Sequence, residues 1–453
     1  MDGFCFTNTR DNDVFKILEW VVMRNQPLSE VDDPLTRSLF NVKPVSSKSL
    51  RSYILSLTPL VEDVIKQILP SKFCVMFDGW SDSKIHYVAI FATYVIKEQY
   101  FETMLACAPL LQETDLSANQ YKFFVEETLQ VFDRDESNVV CFVGDNCAVN
   151  MKLSTITDIP IIGCNSHKLN LAIEAWIEAQ EGLPGALKKL RELMSQLNTI
   201  KNSARLRQLT RLGSVLPNET RWTGKFEMVR RYFRIEKNIQ MIHEVDNYMP
   251  TPSQRRSLES ALGHFQNFES IAKHLQTKGL MLNNARFILD TVCEDYPEMC
   301  KYLAADASIV HDLPFEAAVI KIMDGNESLL TSTEKNSVKH LALDSIPDND
   351  GNEKTPSSYA ARIEAKRRRL SHTATSYLNC RFIPATSCTV ERLFSAARWV
   401  NTCLRKHMSP ILLESLLFLK LNRKHWDLKL VSAAMKIQPD DRYVSLDTDE
   451  FYE

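Results

Sequence analysis

The chain has 453 residues, 44% hydrophobic and 25% charged, which is room for two to four domains with a sizeable core. A formal net charge of -3 excludes a chain-wide electrostatic pull on nucleic acid, so any such role rests on local patches. No run of about 18 apolar residues occurs, which predicts no membrane span and no membrane partner. The 11 cysteines, an odd number without a CxxC pair, read as reduced thiols of an intracellular protein, and Met1 to Arg10 carries no secretory leader.

Residues 1–70 read as a helical N-terminal segment. Val14, Ile17, Leu18 and Val21 recur at helical spacing, and Leu50 to Leu69 forms a second amphipathic helix that stops before Pro70. Residues 71–180 change character. Phe73 to Phe77 is a short apolar run, a buried strand expected to end at Asp78. Tyr87–Ile96 and Tyr100–Leu110 follow as strands, then a helix over Gln120–Phe132. Val139–Val143 is a strand leading into Gly144-Asp145, Pro160–Gly163 a short strand, and Leu169 to Trp176 a helix. Strands alternating with helices after an opening meander predict an α/β domain with a mixed sheet.

Residues 181–330 read as helix after helix: Leu187–Leu209, Arg221–Ile242, Arg255–Leu275 and Ala285–Val292. Residues 331–380 turn polar and predict a linker, which contains the basic run Lys366 to Arg369. That run is open to a nuclear-signal reading or to that of a solvated helix face. Over 381–430 the chain is helical again. Val390, Leu393, Phe394 and Ala397 make one apolar face, with Glu391, Ser395 and Arg398 on another. Ile411–Leu421 is apolar all round, either core or a partner interface. Residues 431–453 form an acidic tail.

Three carboxylates stand out. Asp78 and Asp145 each follow an apolar strand, and ligands of open α/β sheets gather at strand carboxyl ends. Both are also good turn formers, and both readings stay open. Glu391 lies in a separate helical segment. Two-metal phosphoryl transfer needs several carboxylates that converge on folding.

The segment Ile383 to Ser395 resembles the C-terminal signature of hAT-superfamily (hobo, Activator, Tam3) transposases. Leu412 to Lys420 resembles that family's hydrophobic dimerisation helix. Asp78 to Ser81 and Gly144 to Asn150 resemble its first and second catalytic aspartate segments, Cys164 to Leu171 its Cys-x-x-His segment, and Thr220 to Trp222 its Arg-Trp segment. These landmarks fall in the family's order over roughly residues 70–425. The resemblance implies an α/β fold: an RNase H-like mixed sheet interrupted by a large all-α insertion domain, with helical N- and C-terminal segments. It implies that Asp78, Asp145 and Glu391 hold Mg²⁺ or Mn²⁺ for DNA strand cleavage and transfer, with water and then a DNA 3′-hydroxyl as nucleophiles. The implied partners are DNA (transposon ends and target) and a second copy joined through Leu412, Leu413, Leu416 and Leu417, with the nucleus as location.

His167 is expected beside the active site or on DNA rather than on zinc, because no second ligand pair accompanies Cys164 and His167. Arg221 is expected on phosphate, and Trp222 either stacks on a base or anchors the helical domain. Arg230 and Arg231 belong to a basic stretch from Lys188 to Lys237 that predicts a phosphate footprint. The chain departs from the family in having no BED-type zinc-ligand set before Asp78 and a short polar stretch before Ile383. Those departures leave open a domesticated, non-cutting DNA-binding and dimerising nuclear factor. An unrelated nuclease of similar fold is a third possibility.

Overall fold

The computed structural model describes residues 9–40, 42–82, 85–217, 222–343, 376–400 and 408–437. It is a mixed α/β protein with one five-stranded mixed sheet. The chain falls into two compact units, one built from residues 1–162 and 314–453, the other from 163–313.

The first unit opens with α1 (Thr9–Arg24), α2 (Pro34–Leu39) and α3 (Ser47–Ile68). The Ser46 hydroxyl caps α3 by accepting from Ser49 N–H at 3.1 Å. Leu50, Ile54, Leu57, Val61 and Ile65 of α3 are buried along one stripe. Strands β1 (Phe73–Asp82), β2 (Ile85–Ile96) and β3 (Gln99–Pro109) form an antiparallel meander. Helix α4 (Ala118–Val131) then leads to β4 (Val139–Gly144), which pairs parallel to β1. Helix α5 (Ala148–Thr157) and β5 (Ile161–Gly163) complete the order β3-β2-β1-β4-β5.

One expectation is corrected here. β1 does not end at Asp78; it runs four residues further, to Asp82, paired with β2 down to Ile85. The apolar run breaks at Asp78 because β4 stops at Gly144, so the last residues of β1 have a partner on one side only.

The second unit is helical throughout its described residues: α6 (Asn165–Ala179), α7 (Leu183–Leu197), α8 (Ile200–Leu209), α9 (Trp222–Ile239), α10 (Pro252–Leu275), α11 (Leu282–Asp295) and α12 (Cys300–Leu303). The periodicity over Leu187–Leu209 suggested one helix. The chain breaks it at Asn198-Thr199, where Asn198 caps α7 and Thr199 precedes α8. Trp176 of α6 packs edge-on to Phe268 and Phe265 of α10, with ring centroids 5.1 and 6.1 Å away. That aromatic anchor groups α6 with the helices that follow it, so the contact boundary falls at 162/163 rather than at 180.

The first unit resumes with α13 (Leu313–Met323), α14 (Ser332–Ser337), α15 (Cys388–Val400), α16 (Pro410–Leu421) and α17 (Leu428–Ala434). Part of the stretch read as linker is built. Thr331 and Glu334 form a reciprocal capping box on α14, Lys321 pairs with Glu334 at 2.7 Å, and Cys380 is buried. Lys366 to Arg369 and the residues after 437 lie outside the described residues. Helix α16 covers the exposed edge of the sheet. Glu414 Oε1 accepts from Cys107 N–H at 2.9 Å, and Asn422, just past the helix, donates to Met104 C=O at 2.9 Å.

Candidate active site

β1 and β4 are parallel neighbours, with Val75 opposite Phe142 and Met76 opposite Val143. Asp78 lies two residues beyond Met76 in β1, and Asp145 two residues beyond Val143, just past the end of β4. Gly144 permits the approach of β4 to β1, since a Cβ there would lie 3.2 Å from Phe77 O. Side chains alternate along a strand, so Asp78 belongs to the face that carries Cys74, whose sulfur is 3.6 Å from that of Cys141.

Trp80 shares that face, and Phe394 of α15 stacks on it with centroids 5.6 Å apart. At the other end of the face, Thr389 donates to Glu102 Oε2 at 3.1 Å. Glu102 is opposite Thr93, which is opposite Cys74. Helix α15 therefore lies over the sheet face to which Asp78 belongs. Its apolar stripe is as expected: Val390, Leu393, Phe394 and Ala397 are buried. Glu391 sits half-buried in its first turn.

Among the described residues, no group of three or more His, Cys, Asp or Glu side chains is gathered to hold a metal ion. Asp78 and Asp145 thus follow neighbouring parallel strands in the same direction, and α15, whose first turn carries Glu391, lies over the face of Asp78. A two-carboxylate site still fits Mg²⁺ or Mn²⁺, because Mg²⁺ binds through one or two carboxylates and keeps several waters. Asn146, next to Asp145, adds to the fit: its side-chain oxygen and nitrogen are both buried with no hydrogen-bond partner among the described residues. The loop is fixed from behind, since Asn150 Nδ2 and Cys147 N–H both donate to Asp145 C=O, at 2.8 and 2.9 Å.

On the opposite face of β1 lies a polar chain that the sequence reading missed. The Ser81 hydroxyl meets His86 Nδ1 at 2.9 Å, and His86 Nε2 meets the Tyr121 hydroxyl at 2.9 Å. Asp78 Oδ1 accepts from the neighbouring Gly79 N–H at 2.8 Å. Burial holds the His86 imidazole below its usual range. Burial, then the nearby Cys147 and Asp78, pushes the Tyr121 phenol up to about 12. The signal was present in retrospect: Ser81 is opposite His86 in the hairpin, and a Cβ on Gly79 would lie 2.8 Å from both His86 Nε2 and the Tyr121 hydroxyl.

The expected DNA-contacting residues lie in the second unit. Arg221 falls outside the described residues. Trp222 is buried, 3% exposed, with Phe226, Phe265 and Phe268 at 6.1–6.2 Å. It anchors the helical core and is not displayed for stacking on a base. Arg230 pairs with Glu227 at 2.6 Å and lies over the Phe226 ring, and Arg231 donates to Gly213 C=O at 2.6 Å. His167 is half-buried on α6. The cations that do face solvent are others of the same basic stretch, among them Lys201 and Arg207 on α8 and Arg234 on α9.

Leu412, Leu413, Leu416 and Leu417, expected between two copies, are buried within one chain, where α16 packs on α3 and β3. Their side chains are core, so the apolar helix resolves to the first of its two readings.

No known protein family matches the chain, and no curated protein matches it.

Proposed function

We propose that the first unit carries a divalent-metal-dependent site for DNA strand cleavage and transfer, on an RNase H-like sheet interrupted in sequence by a helical insertion. The observation that supports this reading is that β1 and β4 are parallel neighbours, with Asp78 two residues past Met76 and Asp145 two residues past its partner Val143, and that α15 lies on the face of Asp78. The resemblance to hAT transposases supports it, because the same two aspartates and Glu391 are the residues that resemblance selects. Asp78 and Asp145 would hold Mg²⁺ or Mn²⁺ through their carboxylate oxygens, and the ion would supply charge stabilisation at the phosphoryl group. Glu391, in the first turn of α15, orients water or a 3′-hydroxyl and takes its proton.

The nucleic-acid face of this reading is the basic stretch of α8 and α9. Lys201 and Arg234, both exposed, supply phosphate contacts beside those assigned to Arg230 and Arg231, whose guanidiniums also bond within the chain, as that of Arg207 does to Ser203.

The test is cleavage of pre-nicked duplex DNA by the full chain with Mn²⁺. Asp78→Asn and Asp145→Asn each abolish cleavage while far-UV circular dichroism and DNA affinity hold. Equal cleavage by wild type and Asp145→Asn refutes the assignment. A second reading keeps the fold and DNA binding but not the cutting. It is favoured by the absence of a gathered three-carboxylate cluster among the described residues, and it predicts DNA binding without any Mn²⁺-dependent product.

A further inference from the structure

A cavity of about 370 Å³ opens in the first unit between α3, α4, β3 and α16. Its walls are mainly apolar, with Leu105, Phe124, Phe132 and Phe418 among them. Three carboxylates also line it, Glu62 from α3, Glu127 from α4 and Glu414 from α16, and no basic residue does among the described residues. The cations of the flanking helices point elsewhere. Lys66 pairs with Asp133 at 2.6 Å, Lys122 with Glu126 and Glu136 at 3.6 Å, and Lys420 donates to Asn25 at 2.6 Å. Leu111 at the mouth is 77% exposed, and the lining residues Phe123 and Val131 are exposed as well.

We propose that this cavity binds a small organic cation with an apolar body, a primary ammonium or guanidinium seated between Glu62 and Glu414. Its volume falls within the range of small-ligand sites, about 300–1,000 Å³, and its lining combines apolar walls with a few convergent polar groups, as such sites do. Strand addition by a peptide is blocked at this edge, because Glu414 and Asn422 already occupy Cys107 N–H and Met104 C=O. Carboxylates in an apolar wall are costly even where one, Glu414, accepts a hydrogen bond from Cys107 N–H, and a cation between Glu62 and Glu414 offsets that cost. The titration behaviour agrees. Burial, then Glu414 and Asp63, pushes the Glu62 carboxyl up to about 7, and burial raises Glu414 as well. Among the described residues, the titratable groups acting on Glu62 are Glu414 of α16 and Asp63 of its own helix, Glu127 of α4 lines the same cavity, and none of them is cationic. A bound cation holds Glu62 ionised, so binding expels a proton and strengthens as pH rises through 7.

The experiment is calorimetric titration of the full chain with 3-phenylpropylammonium and with its neutral analogue 3-phenylpropanol, at pH 6 and pH 8. The expected result is saturable one-to-one binding of the amine, with the alcohol weaker by about tenfold or more. Amine affinity is expected to be about tenfold higher at pH 8 than at pH 6, the ratio set by one carboxyl titrating near 7. Glu62→Gln flattens that pH dependence, and Glu414→Gln weakens the amine about tenfold without weakening the alcohol. Failure of the amine to bind, equal binding of amine and alcohol, or binding only of an Arg-containing peptide such as acetyl-Leu-Arg-Leu-Leu-amide overturns the proposal. The wild-type comparison decides it even where a variant fails to fold, and DNA cleavage has no bearing on it.

Discussion

Gly79→Ala is the sharpest probe of the geometry around Asp78. The glycine is required by space alone. A Cβ at this position lies 2.8 Å from His86 Nε2, 2.8 Å from the Tyr121 hydroxyl and 2.9 Å from His86 Cε1. One of two things must give: the β1–β2 pairing at Gly79–Val88, or the His86–Tyr121 hydrogen bond of 2.9 Å. Overpacking of this kind costs about 1–3 kcal/mol. Breaking one hydrogen bond and leaving its half-buried groups unsatisfied falls in the same range, about 1–3 kcal/mol. Urea unfolding of wild type and Gly79→Ala, followed by circular dichroism, measures the loss. The same substitution in a His86→Ala background tests the cause, since removing the imidazole vacates the space the methyl needs. There the added cost is expected to drop below about 1 kcal/mol, a coupling of the size seen for residues in contact. If Gly79→Ala lies within about 0.5 kcal/mol of wild type, or costs the same in both backgrounds, the packing of Ser81, His86 and Tyr121 against β1 is not as described.

Three further outcomes follow from the same structure. Leu417→Ala destabilises the chain by about 2–5 kcal/mol without changing its mass in light scattering; a folded protein of halved mass would return this helix to an interface between copies. Lys201→Ala and Arg234→Ala each flatten the slope of log affinity for duplex DNA against log salt by about 0.9 per lost phosphate contact, measured by fluorescence anisotropy. An unchanged slope would remove α8 and α9 from the DNA face. His425 is half-buried with an unpartnered Nε2, and burial, then Lys424, lowers its imidazole to about 4. The unfolded chain then binds the proton first, so stability is full above about 6.5 and falls as pH drops from there toward 4. His425→Gln should lessen that fall in urea titrations at pH 7 and pH 5, and an identical fall in both proteins would refute it.

Local pattern accounts for most of the elements. Alternating and continuous apolar runs mark β1 to β5 because a buried strand needs apolar side chains whatever its neighbours, and the 3.6-residue stripe marks α3 and α15 for the same reason. The α15 stripe of Val390, Leu393, Phe394 and Ala397 is buried as its spacing dictates. Local pattern failed where a partner decides the outcome. β1 continues past Asp78 because β2 keeps pairing with it after β4 has stopped, a fact about two other strands. An apolar helix such as α16 reads the same whether α3 and β3 or a second copy covers it, and only the folded chain shows those leucines already covered. Trp222 likewise looks alike in sequence whether it is displayed to a base or held among Phe226, Phe265 and Phe268.

Sequence by itself determined the meander, the helical stretch after it, and the choice of Asp78, Asp145 and Glu391, because composition, periodicity and motif are local properties of the chain. Tertiary structure alone decided that the strands leading to Asp78 and Asp145 are neighbours, that α15 lies on the face of Asp78, and that three glutamates line a cavity with no basic residue among the described residues around it. Those relations join residues 67 to more than 300 positions apart, and a register between strands or a wall of a cavity exists only once distant segments have packed.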